Sequence, residues 1–272
     1  MLCRALDMPD DLEKCLENAE SAVALLMTHG SVEMGIDGET CYIPELKNSP
    51  IQPCIPELGQ EDVIIVTGGA KGVTAACAVE LSKACAPVIA LIGRSPEPCK
   101  EEEWSLGIEE PAQLKKAILM NAFSDSTDTR KPTPSDVEKI YQRIISNRDI
   151  KQTMADIEAQ GGKVRYYSAD IRDENRIKEI TDTLRKEFGS IVGVIHGAGV
   201  LEDKLIVDKR LDQFERVLET KIMGLEAVLS ATKNDTLSHL VLFSSVAART
   251  GNQGQSDYAL ANEILNKTAR TY

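Results

Sequence analysis

Four side chains in this sequence have the types and spacing to reduce a carbonyl: Lys221, Ser245, Tyr258 and Asn262. Hydride delivery to a carbonyl carbon leaves a developing alkoxide, which must take a proton from a hydroxyl acid whose pKa is lowered by a nearby cation. A tyrosine beside a lysine meets that need. In the run LVLFSSVAARTGNQGQSDYALANEIL, Tyr258 stands thirteen positions after Ser245. Asn262 follows four residues later, one helical turn on and so on the same face. Taken singly, such a serine is usually a cap, such a lysine a solvated face and such a tyrosine a packing residue; only the combination argues for chemistry.

A second group of residues suits a dinucleotide. The run VIIVTGGAKGVTAACAVEL sets Thr67, Gly68, Gly69, Lys71 and Gly72 between an apolar strand and an apolar helix, where a backbone must turn tightly and approach a pyrophosphate. A glycine-rich turn alone is weak evidence. This one lies at the first strand-to-helix junction, and the next strand ends in Gly93-Arg94-Ser95. A carboxylate there would accept hydrogen bonds from a free ribose 2′-hydroxyl, whereas a guanidinium binds a 2′-phosphate bidentately. Arg94, with Lys71 as a second cation, therefore favours NADPH over NADH.

Asp170-Ile171 and His196-Gly197-Ala198-Gly199 end later strands and should line the same crevice. Asp170 is expected to accept a hydrogen bond from the adenine amino group, and His196 to support the crevice rather than act as acid or base. His29 and His239 have no comparable context and are given no role.

These residues need a scaffold. From residue 61 onward short runs rich in Val, Ile and Leu alternate with longer amphipathic segments, the signature of a doubly wound parallel sheet covered on both faces. The predicted helices run through 72–85, around 174–188, near 211–231 and through Tyr258–Thr271. The interval from about 96 to 160 exceeds any simple connection and reads as an insertion with helices of its own. Residues 1–60 read as a short separate segment: a helical pattern over 10–29, capped by Asp10 or Asp11, then a linker over 47–60 carrying Pro50, Pro53 and Pro56.

Composition narrows the function classes. With 272 residues, 42% hydrophobic and 27% charged, the chain is an ordinary globular protein, and its net charge of -12 excludes a nucleic-acid footprint. The seven cysteines, scattered through the first hundred residues without any C-x-x-C pair, read as reduced thiols, and no metal site is expected. No leader and no membrane span is apparent, which places the protein in the cytoplasm.

The segments TGGAKG, HGAG, LFSS and YALAN, in this order, resemble the short-chain dehydrogenase/reductases. Most members carry lysine four residues after the tyrosine. Here Asn262 stands there and Lys221 lies in an earlier helix, an exchange that resembles the ketoreductase domains of type I polyketide and fatty-acid synthases. GNQGQSDYALAN and the long insertion most resemble the ketoreductases of polyunsaturated-fatty-acid-type synthases.

The resemblance covers about residues 61–272, and it makes residues 1–60 the remnant of a structural subdomain. It implies an NADPH-dependent reduction of a β-ketoacyl thioester bound to an acyl carrier protein, alongside other synthase domains. Tyr258 would donate the proton, Ser245 would hydrogen-bond the carbonyl oxygen, Lys221 would assist the tyrosine and contact the nicotinamide ribose, and Asn262 would order a water relay. Leu201-Glu202-Asp203 approximates the Leu-Asp-Asp typical of ketoreductases that give the 3R alcohol, making Asp203 a stereocontrol residue.

Thr74 replaces the family's usual third loop glycine. The family also continues past the Tyr258 helix into a further strand and lid, so the chain reads as cut at its C-terminus. A non-catalytic NADP-binding structural domain is the alternative reading. A sugar-nucleotide epimerase or dehydratase is contradicted by Asn262.

Overall fold

The computed structural model describes residues 5–9, 11–27, 31–38, 40–45, 47–50, 56–123 and 132–272. The chain divides into two units, Met1–Cys54 and Ile55–Tyr272. In the first, β1 (Ala5–Asp7) pairs in parallel with β2 (Glu33–Asp37), which pairs antiparallel with β3 (Thr40–Tyr42). The helical pattern after β1 forms two helices, α1 (Leu12–Glu17) and α2 (Ala19–Met27). They part at Asn18, whose side-chain amide donates to the Lys14 carbonyl at 2.6 Å, a local bond that competes with helix propagation. Asp11 caps α1 by accepting from Glu13 N at 2.8 Å. Asp10, the other expected cap, lies outside the described residues, as do Pro53, Cys3, Cys54 and His29.

The second unit is built on β4 (Val63–Thr67), β5 (Val88–Gly93), β6 (Lys163–Ser168), β7 (Ile191–His196) and β8 (His239–Leu242). They form one parallel sheet in the order β6-β5-β4-β7-β8. Its helices are α3 (Gly72–Cys85), α4 (Pro111–Asn121), α5 (Pro134–Ala159), α6 (Glu174–Phe188), α7 (Leu211–Ala231), α8 (Ala247–Thr250) and α9 (Ser256–Thr271).

The unbroken apolar run of β4 follows from burial on both faces. Val63 and Ile65 join a core with Ile177, Ile180 and Leu184 of α6 and Val228 of α7. Ile64 and Val66 point the other way, to Ala78 of α3 and to Ile150 and Ile157 of α5. Each such side chain contributes roughly 1.5–3 kcal/mol by leaving water. The edge strand β6 instead alternates, exposing Lys163 and Arg165 while burying Val164 and Tyr166. The architecture is thus the doubly wound α/β sheet that the strand pattern implied.

The interval 96–160, expected to be an insertion with helices of its own, holds α4 and α5. In its first part, a 3-10 turn at Glu103–Ser105, α4 and the start of α5 enclose Leu114, Ile118, Val137 and Ile144, with Trp104 packed against them. Its last part is the crossover helix of the sheet itself. Ile150 and Ile157 sit in the sheet core, and the Thr153 hydroxyl donates to the Ala70 carbonyl at 3.0 Å. One helix carries both, so periodicity shows no boundary between them. Arg148 pins the elaboration to that helix. Its guanidinium pairs with Glu101 and donates to the Ser105 and Ile108 carbonyls, each at 2.7 Å.

Candidate active site

Strand order reverses beside β4: the chain steps outward to β5 and β6, then returns to place β7 on the other side. The connections leaving β4 and β7 diverge there and open a crevice at the carboxyl ends of both strands. The crevice has a volume of about 350 Å³. Of the residues expected to hold a cofactor, Gly68, Lys71, Arg94, Ser95, Ile171, Gly197, Ala198 and Gly199 line it. Thr67, Gly69, Gly72 and Asp170 do not.

Those four have other tasks. Gly69 is buried against Val66 and Leu91. Gly72, with φ +68°, opens α3. Lys71, at the N-cap, makes no side-chain cap bond, and its ammonium has no acceptor to offer. The first amides of α3 therefore keep their donors for an anion, which the helix dipole also favours. The Asp170 carboxylate is engaged by Arg172 at 2.7 Å, and Arg172 also reaches Glu219 at 2.8 Å. Arg172 is the main reason that Asp170 is held below the usual carboxylate range. Asp170, the residue expected to accept from adenine, is thus held in place by Arg172.

Thr67 and His196 form a hydrogen-bonded relay beneath the two turns. His196 is fully buried, with Nδ1 2.9 Å from Thr67 Oγ1 and Nε2 2.9 Å from the Lys221 carbonyl. A carbonyl only accepts, so Nε2 carries the hydrogen and Nδ1 accepts from the Thr67 hydroxyl. Thr67 Oγ1 in turn accepts from Ala198 N at 3.2 Å. Burial, reinforced by the Lys221 charge, pushes the imidazole down to about 4, so it stays neutral and holds the crevice floor by hydrogen bonds alone.

The turns fit a backbone-hugging ligand. Gly68 has φ +68°, and a Cβ there would lie 2.9 Å from Ala198 Cα, so the loop after β4 touches the turn after β7. Thr74, the departure from the glycine pattern, is accommodated by that opposite turn. A Cβ on Gly197 would fall 2.4 Å from Thr74 Oγ1, so here Gly197 supplies the close approach. Ile150, Tyr166 and Thr220 are among the lining residues to which the sequence alone assigned no role. Tyr166 donates to the Ser95 carbonyl at 2.8 Å and so fixes the turn that carries Arg94. Burial raises its phenol to about 12, keeping it a donor. The alternation of β6 was the available signal.

Lys221 connects the crevice to the tyrosine. A Cβ on Gly199 would lie 3.1 Å from Lys221 Cε. The ammonium donates to the Phe243 carbonyl at 3.1 Å and lies 5.7 Å from the centroid of the Tyr258 ring. Burial lowers Lys221 to about 8. Asn262, one turn along α9, donates to the Tyr258 carbonyl at 2.8 Å, and its buried Oδ1 has no partner among the described residues. Ser245 is held separately, in the turn between β8 and α8, with Oγ accepting from Ala247 N at 3.2 Å. Asp203 accepts from Gln255 Nε2 at 2.8 Å, whereas Glu202 pairs with Arg216.

Among the described residues no cluster of three or more His, Cys, Asp or Glu is placed to hold a metal, and no helix is long and apolar enough to cross a membrane. Cys15, Cys41, Cys77, Cys85 and Cys99 are free thiols.

The KR domain family matches residues 63–272. A polyunsaturated fatty acid synthase protein of Thraustochytrium is 36% identical over 241 residues, covering 87% of this chain and 8% of that protein. Polyketide synthase PksM of Bacillus subtilis is 28% identical over 223 residues, covering 82% of this chain and 4% of its own length. The chain therefore spans less than a tenth of these relatives. The crystal structure of an N-terminal ketoreductase from the macrolactin assembly line superposes with a TM-score of 0.69 at 22% identity, covering 99% of this chain and 45% of that one, which shows a shared fold.

Proposed function

This chain belongs to the KR domain family, and from that premise we propose that it reduces a β-ketoacyl thioester, carried on an acyl carrier protein, to the β-hydroxyacyl thioester with NADPH. NADPH, when bound, supplies the hydride to the β-carbon. The amides at the start of α3 would hold its pyrophosphate, and Arg94 with Lys71 its 2′-phosphate.

Tyr258 gives its phenolic proton to the developing alkoxide. The Lys221 cation stabilises the phenolate left behind, and its depressed pKa of about 8 still leaves it charged at neutral pH. Ser245 Oγ donates to the carbonyl oxygen as charge builds there. Asn262 Oδ1, buried without a partner among the described residues, suits a relay water that returns the proton. Asp203 steers the substrate toward the 3R alcohol. Residues 1–60 serve as a structural segment, the insertion elaborates the 61–272 domain, and other synthase domains in the cytoplasm deliver the substrate.

One observation carries this reading: the buried Lys221 side chain lies where a Cβ on Gly199, a lining residue of the crevice, would meet it, and its ammonium faces the Tyr258 ring. The test supplies NADPH and a β-ketoacyl thioester and follows the loss of NADPH absorbance. Tyr258→Phe should lower turnover by roughly 10²–10⁴-fold while leaving cofactor binding intact. Undiminished turnover in that variant overturns the mechanism. A 3S product from the unmodified chain overturns the role of Asp203.

A further inference from the structure

The loop between β7 and α7 is joined to the start of α9 at three points. Lys204 N donates to the Gly254 carbonyl at 3.0 Å, Gln255 Nε2 to Asp203 at 2.8 Å, and Lys209 Nζ to Asp257 Oδ2 at 2.6 Å. The third differs in kind. The Lys209 and Asp257 side chains are only 3% and 1% exposed, so both ions have lost nearly all their water. Mutual attraction seldom repays such desolvation relative to an apolar pair, so stability alone is a poor reason for the pair to be there.

Both ions spend their remaining capacity on backbone. Lys209 Nζ also donates to the Glu202 carbonyl at 3.0 Å, and Asp257 Oδ1 accepts from Tyr258 N at 2.9 Å. A continuous chain thus runs from Glu202, through ammonium and carboxylate, to the amide of the residue bearing the phenol. Gln255, at the N-cap of α9, supplies no side-chain cap, and Asp257 provides the anion in its first turn. The loop has little apolar anchorage of its own, since Leu205, Ile206 and Val207 are 46%, 76% and 85% exposed.

We propose that the Lys209–Asp257 ion pair, backed by the exposed Gln255–Asp203 bond, positions Tyr258 by locking the start of α9 to the Leu201–Lys209 loop. The proposal rests on Tyr258 as proton donor. Lys209→Met and the double variant Lys209→Met with Asp257→Asn, made in the full chain, test it. The single variant strands a buried carboxylate and should lower the Tm. The double variant is neutral and keeps an acceptor for Tyr258 N, so the Tm should recover.

A positioning role leaves kcat of the double variant down by about tenfold or more, because small misplacements of a reacting group are costly. The KM for NADPH should stay within about twofold, as the cofactor crevice is untouched. Amide exchange at Tyr258 and Ala259 should rise about fivefold. Recovery of kcat together with the Tm overturns the proposal, because a merely stabilising pair behaves that way.

Should the double variant not fold, Gln255→Ala removes the exposed bond from a stable chain. A kcat about threefold lower supports the proposal, and unchanged kcat and exchange overturn it. A wild-type chain without turnover would refute the role given to Tyr258 instead. The exchange measurement still decides the locking contact in that case, and no rise overturns it.

Discussion

Acid should reach the crevice through His196. A second ring proton would turn Nδ1 from acceptor into donor, facing the Thr67 hydroxyl that now donates to it, and would put an unsolvated charge beside Lys221. Burial first and the Lys221 charge second hold the imidazole at about 4, against 6.5 for an ordinary histidine, with the hydrogen bond to the Lys221 carbonyl opposing them. Between those pH values the unfolded chain binds a proton that the native chain refuses. Stability is therefore complete above pH 6.5 and declines as pH falls through the window. Each pH unit is worth about 1.4 kcal/mol, so the drop from pH 6.5 to about 5 removes about 2 kcal/mol, before most carboxylates begin to titrate.

Urea unfolding at about pH 7, 6 and 5 measures this directly, with His196→Asn as the reference. The variant lacks the titrating ring, so it should start less stable yet lose little over the same interval. Equal slopes in the two proteins would refute the assignment of a neutral, buried imidazole.

Lys221 makes the opposite end of the pH range informative. Its ammonium, with a pKa lowered to about 8 by burial, is charged below that pH and neutral above it. The value of kcat/KM should therefore fall as pH rises through about 8, and a profile flat to about pH 10 would remove Lys221 from the reaction. Replacing Arg94 with Asp should weaken NADPH binding by roughly 10–100-fold, the worth of a charge-assisted bidentate contact, with little effect on NADH. Fluorescence titration with both cofactors checks it, and an unchanged preference rules out Arg94 as the phosphate ligand. Gly68→Val forces a β-branched residue to φ +68° with its Cβ 2.9 Å from Ala198 backbone, where neither side can yield. The substitution should cost on the order of 1–3 kcal/mol and abolish cofactor binding, and wild-type affinity would contradict the close approach of the two turns.

What could be read from the chain by itself was local. The apolar run of β4, the glycine junction before α3, the helices at Glu174–Phe188 and Leu211–Ala231, and the turn that separates Tyr258 from Asn262 all follow from periodicity and turn chemistry within a few residues. The exchange of lysine and asparagine at Lys221 and Asn262 was legible for the same reason, because residue type and order suffice to recognise it. The tertiary structure decided what becomes of each polar group once water is gone. It drew Arg172 to Glu219, joined Thr67 to His196 across the two central strands, made the end of α5 a sheet-covering helix, and paired Lys209 with Asp257. Each depends on which distant segments the strand order brings side by side. A buried charge or donor must take whatever partner that order supplies, and neighbours in sequence carry no record of it.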